Sequence, residues 1–144
     1  METTIKDIDS IQNEITEEFS ALEDPMDRYE YIIDLGKDLL PMSDQFKTEQ
    51  NIVKGCQSTV WMRSFTKDGR IFFQADSDTL IIKGIIALLI RILSNQKPED
   101  IIHAELFFID KIKLRAHLSP QRSNGLNAII SQVKEYAIDL SKEG

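Results

Sequence analysis

The sequence contains little cysteine and little histidine, and this scarcity excludes several classes of protein. The single cysteine, Cys56, rules out an internal disulfide framework, and a free thiol is typical of a reducing compartment. A thioredoxin-like redox protein would need a second cysteine in a Cys-x-x-Cys motif, which is absent. A zinc or iron–sulfur scaffold of the IscU type would use several thiolate ligands, and one cysteine cannot supply them. We therefore expect no bound metal or other cofactor.

Positive charge is also scarce, and long apolar runs are absent. A formal net charge of −7 argues against a nucleic-acid-binding surface, disfavours anionic membranes, and suits a partner protein with basic patches. The apolar run between Lys83 and Arg91 is well short of the roughly 20 residues that span a bilayer. Met1 to Thr4 lack the basic and apolar regions of a secretory signal, so we expect a cytoplasmic protein.

The two histidines give little support for an enzyme. A cysteine hydrolase would need a histidine base close to its thiol. His103 and His117 lie in helix-like stretches without a recognisable motif, where a histidine is more often a structural or surface residue. The sequence therefore favours a protein that is not a stand-alone enzyme.

Apolar spacing predicts several helices around a small sheet. Two strand-like runs, Ser58–Thr66 and Arg70–Ala75, flank the turn signal Lys67-Asp68-Gly69 and predict a hairpin, to which residues 51–53 add a possible third strand. The predicted helices cover residues 5–22, 25–40, 80–93, a short segment from 98, 106–118, and the region after 120. We expect an α+β fold, with an antiparallel sheet of two to three strands packed against the helices in one domain, residues 1–144.

The segment Leu80–Leu93 is apolar on nearly every side and predicts a buried central helix. Ser77 or Asp78 is positioned to cap its N-terminus. Gly84 costs helix propensity, so we interpret it as a point of close packing against the sheet. This helix is expected to dominate the stability of the fold, because each buried leucine or isoleucine contributes about 1.5–3 kcal/mol.

The residues around Cys56 differ from the usual surroundings of a core cysteine. Gly55 precedes the thiol and permits a bend with positive φ, and the polar Gln57 and Ser58 follow it. A lone cysteine is more often a small buried hydrophobe, but these neighbours favour presentation on a loop. Lys54 adds a nearby cation that would favour the thiolate.

This segment resembles the signature of the SufE family of sulfur-acceptor proteins. The matching residues are Asn51, Val53, Gly55, Cys56, Gln57, Ser58, Val60 and Trp61. Further matches follow in the family's order: Arg28-Tyr29, Leu35-Gly36, Leu40-Pro41, Ala75 to Asp78, Lys83-Gly84, and Leu118 to Leu126. Several ordered segments over nearly the whole chain make the resemblance specific, and it implies a SufE/IscU-like fold.

The resemblance also implies a function. SufE-like proteins take sulfur from the persulfide of a SufS-type cysteine desulfurase, a pyridoxal-phosphate enzyme, and pass it to an iron–sulfur scaffold of the SufBCD type. The family's acceptor cysteine maps onto Cys56, its acidic segment onto Asp76–Asp78, and its late arginine onto Arg122. Arg122 would stabilise the thiolate or persulfide, pair with the desulfurase, or simply tie the last helix to the acidic turn. Asp78 would serve the partner or act as an ordinary helix cap.

An alternative from a different class is a non-catalytic adaptor that activates a desulfurase allosterically without carrying sulfur. The Cys56→Ser variant separates the two readings. An adaptor would still activate its desulfurase after this change, whereas a carrier would not.

Overall fold

The computed structural model describes residues 6–143, and within them the chain forms an α+β fold. A two-stranded antiparallel sheet packs against the helices, as predicted. The helices are α1 (Ile8–Ser20), α2 (Pro25–Lys37), α3 (Leu80–Leu93), α4 (Pro98–Ile102), α5 (Phe108–Lys111) and α6 (Pro120–Glu143); the strands are β1 (Val60–Lys67) and β2 (Arg70–Ser77). Short 3-10 turns cover Asp44–Phe46, Glu49–Asn51 and Leu114–His117. Among the described residues, no helix is both long and apolar enough to cross a membrane.

The hairpin forms where the turn signal predicts it. Asp68 and Gly69 both have positive φ, at 54° and 78°, which gives the two-residue turn that matches the right-handed twist of paired strands. The predicted third strand at residues 51–53 is wrong. A 3-10 turn occupies Glu49–Asn51, and contact with β1 is limited to an isolated bridge from Ile52 to Trp61 and one bond from the Val53 N–H to the Val60 carbonyl (2.8 Å).

The central helix α3 is buried, as its composition predicts. It packs against α2 on one side and β2 on another, and further contacts come from α1 and α6. Its buried residues are Ile81, Ile82, Gly84, Ile85, Ile86, Leu88, Leu89, Ile92 and Leu93. The inward face of the sheet completes this core with Val60, Met62, Ile71, Phe73 and Ala75.

The close packing at Gly84 is made with α2, and the predicted packing against the sheet is wrong. A Cβ added to Gly84 would lie 2.0 Å from the Ile32 carbonyl oxygen, and one added to Gly36 would lie 2.6 Å from the Gly84 nitrogen. The two glycines therefore allow α2 and α3 to cross with their backbones in contact. Any side chain at either position would force the helices apart.

Helix α2 begins at the predicted position, whereas α1 begins at Ile8. The Asp24 side chain accepts a hydrogen bond from the Met26 N–H, with Pro25 in the first turn, as expected. Helix α2 ends at Lys37, so the prediction that Leu40 lies on its apolar face is wrong; Leu40 is 84% exposed. The predicted start of the first helix at Ile5 lies outside the described residues.

The predicted helix over residues 106–118 is broken. Lys113 has a φ of 55°, in the left-handed region, and it separates the single turn α5 from the 3-10 turn Leu114–His117. Ser119-Pro120 then starts α6, as predicted, and the buried residues of that helix follow the expected stripe: Leu126, Ile129, Val133 and Ala137.

Candidate functional site

The loop formed by residues 52–59 leads into β1 and carries Cys56. Its first end is fixed by the bond between the Val53 N–H and the Val60 carbonyl. Its second end is fixed at Thr59, whose carbonyl accepts from the Ser77 hydroxyl (2.9 Å) and the Asp78 N–H (3.4 Å). The loop is therefore tied to the sheet at both ends, and the thiol lies between these ties.

Gly55 permits the bend that directs Cys56 toward α6. Its φ is 92°, a conformation that residues with a side chain rarely adopt. A Cβ at this position would also lie 3.3 Å from the Cβ of Ala128, which is closer than most such contacts. The prediction of a glycine bend before the thiol is thus confirmed, and the bend packs against α6.

Cys56 is partly buried against the N-terminal half of α6. Its Sγ lies 3.5 Å from the Gly125 carbonyl oxygen, within the range for a thiol hydrogen bond. A cavity of about 10 Å³ adjoins the thiol, close to the smallest space that holds one water. The residues that line it with Cys56 are Gln57, Ser58, Val60, Ile82, Gln121, Arg122 and Gly125.

Burial raises the pKa of the Cys56 thiol. The side chain gives up part of its contact with water, and a thiolate loses more from this than a neutral thiol. Burial thus opposes the effect expected of Lys54, which stays a prediction, and the net shift disfavours the thiolate in this conformation. The raised pKa favours the protonated thiol, which is the less nucleophilic form, in the conformation that the structure describes.

Of the predicted site residues, Gln57, Ser58 and Arg122 lie around the cavity together with Cys56. Asp78 does not line it and is connected through a neighbour. The Thr79 hydroxyl lies 2.8 Å from the Ser58 hydroxyl and 3.1 Å from an Asp78 carboxylate oxygen. With one proton to donate, Thr79 links the carboxylate to the cysteine loop.

The predicted capping of α3 by Ser77 or Asp78 is wrong. Thr79 is the N-cap residue of α3. The Ser77 side chain instead bonds the Thr59 carbonyl and accepts from the Thr79 N–H (3.2 Å). Both predicted caps thus contribute to fixing the end of the cysteine loop.

The proposed tie between Arg122 and the acidic turn does not form in the described residues. Asp76 is buried and pairs with Lys47 (3.3 Å) and Lys83 (3.5 Å), and Arg122 forms no salt bridge within residues 6–143. The first turn of α6 is fixed separately, since the Arg122 N–H donates to the Ser119 hydroxyl (3.3 Å). Arg122 therefore lies at the cavity without a carboxylate partner from this part of the chain.

Sequence reasoning did not single out two cavity residues, Gly125 and Ile82. Gly125 accepts the thiol hydrogen bond, and a Cβ there would lie 3.7 Å from Sγ. A glycine inside a predicted helix was the available signal, because it often marks a close approach of another segment. Ile82 has no such signal, since it looks like any other apolar residue of α3.

The described surroundings of the thiol offer neither a histidine base nor a metal site. His103 is the C-cap residue that follows α4, and His117 packs near the Tyr29 ring (centroids 6.3 Å apart); neither lines the cavity. Within the part of the chain that the structure describes, no three His, Cys, Asp or Glu side chains are grouped to hold a metal ion.

Fold and site together define a class of small α+β protein with one loop cysteine held against a helix. Residues 13–137 match the family model "SufE: Fe-S metabolism associated domain". The chain belongs to the SufE family. The resemblance read from the Cys56 segment is thereby confirmed.

Three curated relatives have similar sequences. "SufE-like protein 1, chloroplastic/mitochondrial" of Arabidopsis thaliana is 36% identical over 132 residues, and the match covers 91% of this chain but 36% of that protein. An uncharacterised SufE-like protein of Synechocystis is 37% identical over 86% of this chain and 78% of its own length. An uncharacterised SufE-like protein of Rhizobium meliloti is 35% identical over 87% of this chain and 93% of its own length.

A solved structure shows the same fold. The solution structure of a hypothetical protein from Thermus thermophilus superposes with a TM-score of 0.74 at 18% identity, covering 90% of this chain and 94% of that one. At this level of identity the similarity supports the fold alone.

Proposed function

We propose that this protein is a sulfur carrier, which accepts sulfur on Cys56 from the persulfide of a cysteine desulfurase and passes it on for iron–sulfur cluster assembly. The observation that carries this proposal is the position of Cys56, on a loop tied at both ends and beside a small cavity. Membership of a family associated with Fe–S metabolism supports it.

The transfer needs no cofactor on this chain. The Cys56 thiolate attacks the terminal sulfur of the donor persulfide, a new S–S bond forms, and the donor's S–S bond breaks. The donor cysteine leaves as a thiolate, and Cys56 becomes the persulfide. No net oxidation or reduction takes place, and the proton that Cys56 loses passes to solvent or to the donor site.

The observed conformation corresponds to a resting state that must open. The thiol is partly buried and its pKa is raised, so the loop must lose its contact with Gly125 before attack. The ties at Val53 and Thr59 confine this movement to the segment between them, with Gly55 as the bend. After transfer, a modest shift of the cavity walls would accommodate the added sulfur.

The remaining site residues support the exchange in this proposal. Arg122 stabilises the developing negative charge on the sulfur, since it lies at the cavity and no carboxylate among the described residues neutralises it. Gln57 and Ser58 orient the loop, and Asp78 stabilises its end through Thr79. The donor would be a SufS-type pyridoxal-phosphate enzyme and the receiver a SufBCD-type scaffold, both in the cytoplasm.

A second candidate function is the adaptor that activates a desulfurase without carrying sulfur. The observation that favours it is the partial burial of Cys56 against α6, which limits access to the sulfur in this conformation. An adaptor would need the shape of the cysteine loop and would not need the sulfur atom.

Steady-state turnover of a SufS-type desulfurase, with and without this protein, distinguishes the two functions. If Cys56 carries sulfur, Cys56→Ser loses the stimulation while the surface control Lys111→Gln retains it. Matching thermal melts of the two variants would show that both are folded. Full stimulation by Cys56→Ser would overturn the carrier function in favour of the adaptor.

A further inference from the structure

The outward face of the hairpin has an unusual composition. An antiparallel sheet with one face on the core normally presents polar residues on the other face. Here the register places four cross-strand pairs outward: Trp61–Asp76, Arg63–Gln74, Phe65–Phe72 and Lys67–Arg70. Asp76 is buried by its ion pairs with Lys47 and Lys83. We call the six residues Trp61, Arg63, Phe65, Lys67, Arg70 and Phe72 the aromatic–cationic face.

The face contains a stacked pair of rings and a cation that packs on one of them. Phe65 and Phe72 stack in parallel, with centroids 5.4 Å apart and planes 10° apart, and Phe65 is 38% exposed. The Arg63 guanidinium carbon lies 3.8 Å from the centroid of Phe46 and 5.6 Å from that of Phe65. Arg63 is thus held by two rings, so less side-chain entropy is lost when it binds a further group.

The cations of this face are not neutralised by the described part of the chain. Among residues 6–143, Arg63, Lys67 and Arg70 form no salt bridge. Residues 1–49 contain fourteen Asp or Glu and four Lys or Arg, which gives a net charge of −10. Residues 50–144 contain ten Asp or Glu and thirteen Lys or Arg, which gives a net charge of +3. Because none of its three cations is paired with a carboxylate among the described residues, this face carries positive charge on a protein whose total charge is −7.

We propose that the aromatic–cationic face docks an acidic segment of a partner protein. Carboxylates of that segment pair with Arg63 and Lys67, and an aromatic or aliphatic side chain packs on the Phe65–Phe72 stack. Arginine and aromatic residues at such a site are the types that dominate binding energy in protein interfaces. The proposal does not depend on sulfur transfer, because an adaptor would use the same face.

Charge and size favour a peptide over single-stranded nucleic acid. From Trp61 to Lys67 the strand extends roughly 20 Å. The cations of the face, spread over this length, suit a few carboxylates, whereas a longer polyanion would also meet the acidic remainder of the chain.

Trp61 is the single tryptophan of the chain and lies on this face, so its fluorescence reports binding directly. The full-length protein would be titrated with a short synthetic peptide pool rich in glutamate and phenylalanine. The matched pool carries glutamine in place of glutamate, and a third titrant is oligodeoxythymidine. We expect saturable binding of the glutamate pool that weakens with salt. In a heteronuclear spectrum, amide shifts should be confined to residues 61–74 and to Phe46 and Lys47, which pack on Arg63 and Trp61.

Variants test the assignment to residues. Arg63→Gln and Phe65→Ser should each weaken binding about tenfold, whereas the exposed Lys111→Gln should bind like the wild type. The Arg63→Glu variant should no longer bind the glutamate pool and should instead bind a matched lysine pool. General damage to the fold would not produce this reversal of charge preference. Absence of binding, equal binding of the glutamine pool, unchanged binding by Arg63→Gln, or tighter binding of the oligonucleotide on these residues would each overturn the proposal.

Discussion

At the residue scale, the environment of Cys56 decides how reactive its sulfur is. The thiol packs against α6, near the Gly125 carbonyl, and burial raises its pKa. A protonated thiol reacts more slowly with oxidants and alkylating agents than a thiolate does.

The first prediction concerns the pH dependence of Cys56 alkylation. Iodoacetamide reacts with the thiolate, so the rate should rise with a midpoint above that of an ordinary cysteine, because burial raises the pKa. In denaturant the midpoint of the alkylation rate should fall to the ordinary pKa of a cysteine thiol, about 8.5. The measurement is the alkylation rate by mass spectrometry across pH. A folded-state midpoint at or below the denatured one would contradict the description of the resting thiol.

Asp76 is a buried carboxylate at the end of β2. It pairs with Lys47 in the loop between α2 and β1 and with Lys83 in α3, so it joins three segments of the fold. Burial alone would raise the pKa of this carboxyl. Hydrogen bonds and positive charge outweigh burial, so the pKa is lowered; they come from the Ser77 N–H, Lys47, the Met42 N–H and Lys83. The carboxylate therefore stabilises the fold above its ordinary pKa. This contribution is lost as pH falls through the lowered folded value.

The second prediction is that Asp76→Asn lowers the free energy of unfolding by about 3 kcal/mol near neutral pH, because two lysines lose their buried counter-charge. The difference from wild type should shrink below roughly pH 4, where the unfolded carboxyl is protonated. Urea unfolding across pH measures it, with the exposed Asp139→Asn as control. A difference that is constant with pH, or a cost no larger than that of the control, would contradict the assigned role.

At the element scale, the crossing of α2 and α3 determines how the core is assembled. Gly36 and Gly84 bring the two backbones into contact, and α3 in turn supports the sheet on which the cysteine loop is tied. A change at this crossing would therefore reach the site through α3. The same residue type at Gly125 has a different role, because it faces the Cys56 thiol inside α6.

The third prediction compares two glycines in helices. Gly84→Ala should destabilise the protein by about 2 kcal/mol or more, because the new Cβ would lie 2.0 Å from the Ile32 carbonyl oxygen and overpacking outweighs the gain in helix propensity. Gly125→Ala should be neutral or stabilise by up to about 1 kcal/mol, since its Cβ would lie 3.7 Å from Sγ. Thermal or urea unfolding measures both. Equal effects of the two substitutions would contradict the close crossing.

The elements that could be predicted from sequence are those with a local physical signal. The hairpin follows from its turn residues, α2 from the Asp24 cap with Pro25, and α3 from its continuous apolar composition. The predictions that were wrong concern segments whose structure depends on contacts with distant parts of the chain. Residues 51–53 have strand-like composition but join β1 through one bridge, and Gly84 contacts a helix that local pattern cannot identify as its neighbour.

The site was predictable to a similar extent. Cys56 and Arg122 are far apart in sequence, and the resemblance to the SufE family brought them together before the structure placed both at one cavity. The link from Asp78 to Ser58 through Thr79 could not be predicted, because it depends on side-chain orientation. The partly buried thiol also has no sequence signal, since Lys54 suggested a more ionised one.

At the scale of the whole molecule, the negative charge is distributed unevenly along the chain. The carboxylates are concentrated in residues 1–49, whereas the cysteine loop and the aromatic–cationic face belong to the part in which cations outnumber them. An acidic segment of the kind proposed above would meet less repulsion on the aromatic–cationic face than along α1 and α2.

The most direct test of the central claim is the intact mass of the full-length protein after incubation with a SufS-type desulfurase, its cofactor and cysteine under nonreducing conditions. The account predicts a gain of one sulfur, located on the peptide that contains Cys56, removed by a reductant and absent from Cys56→Ser. No mass gain at Cys56 while the desulfurase turns over, or an equal gain on Cys56→Ser, would contradict it.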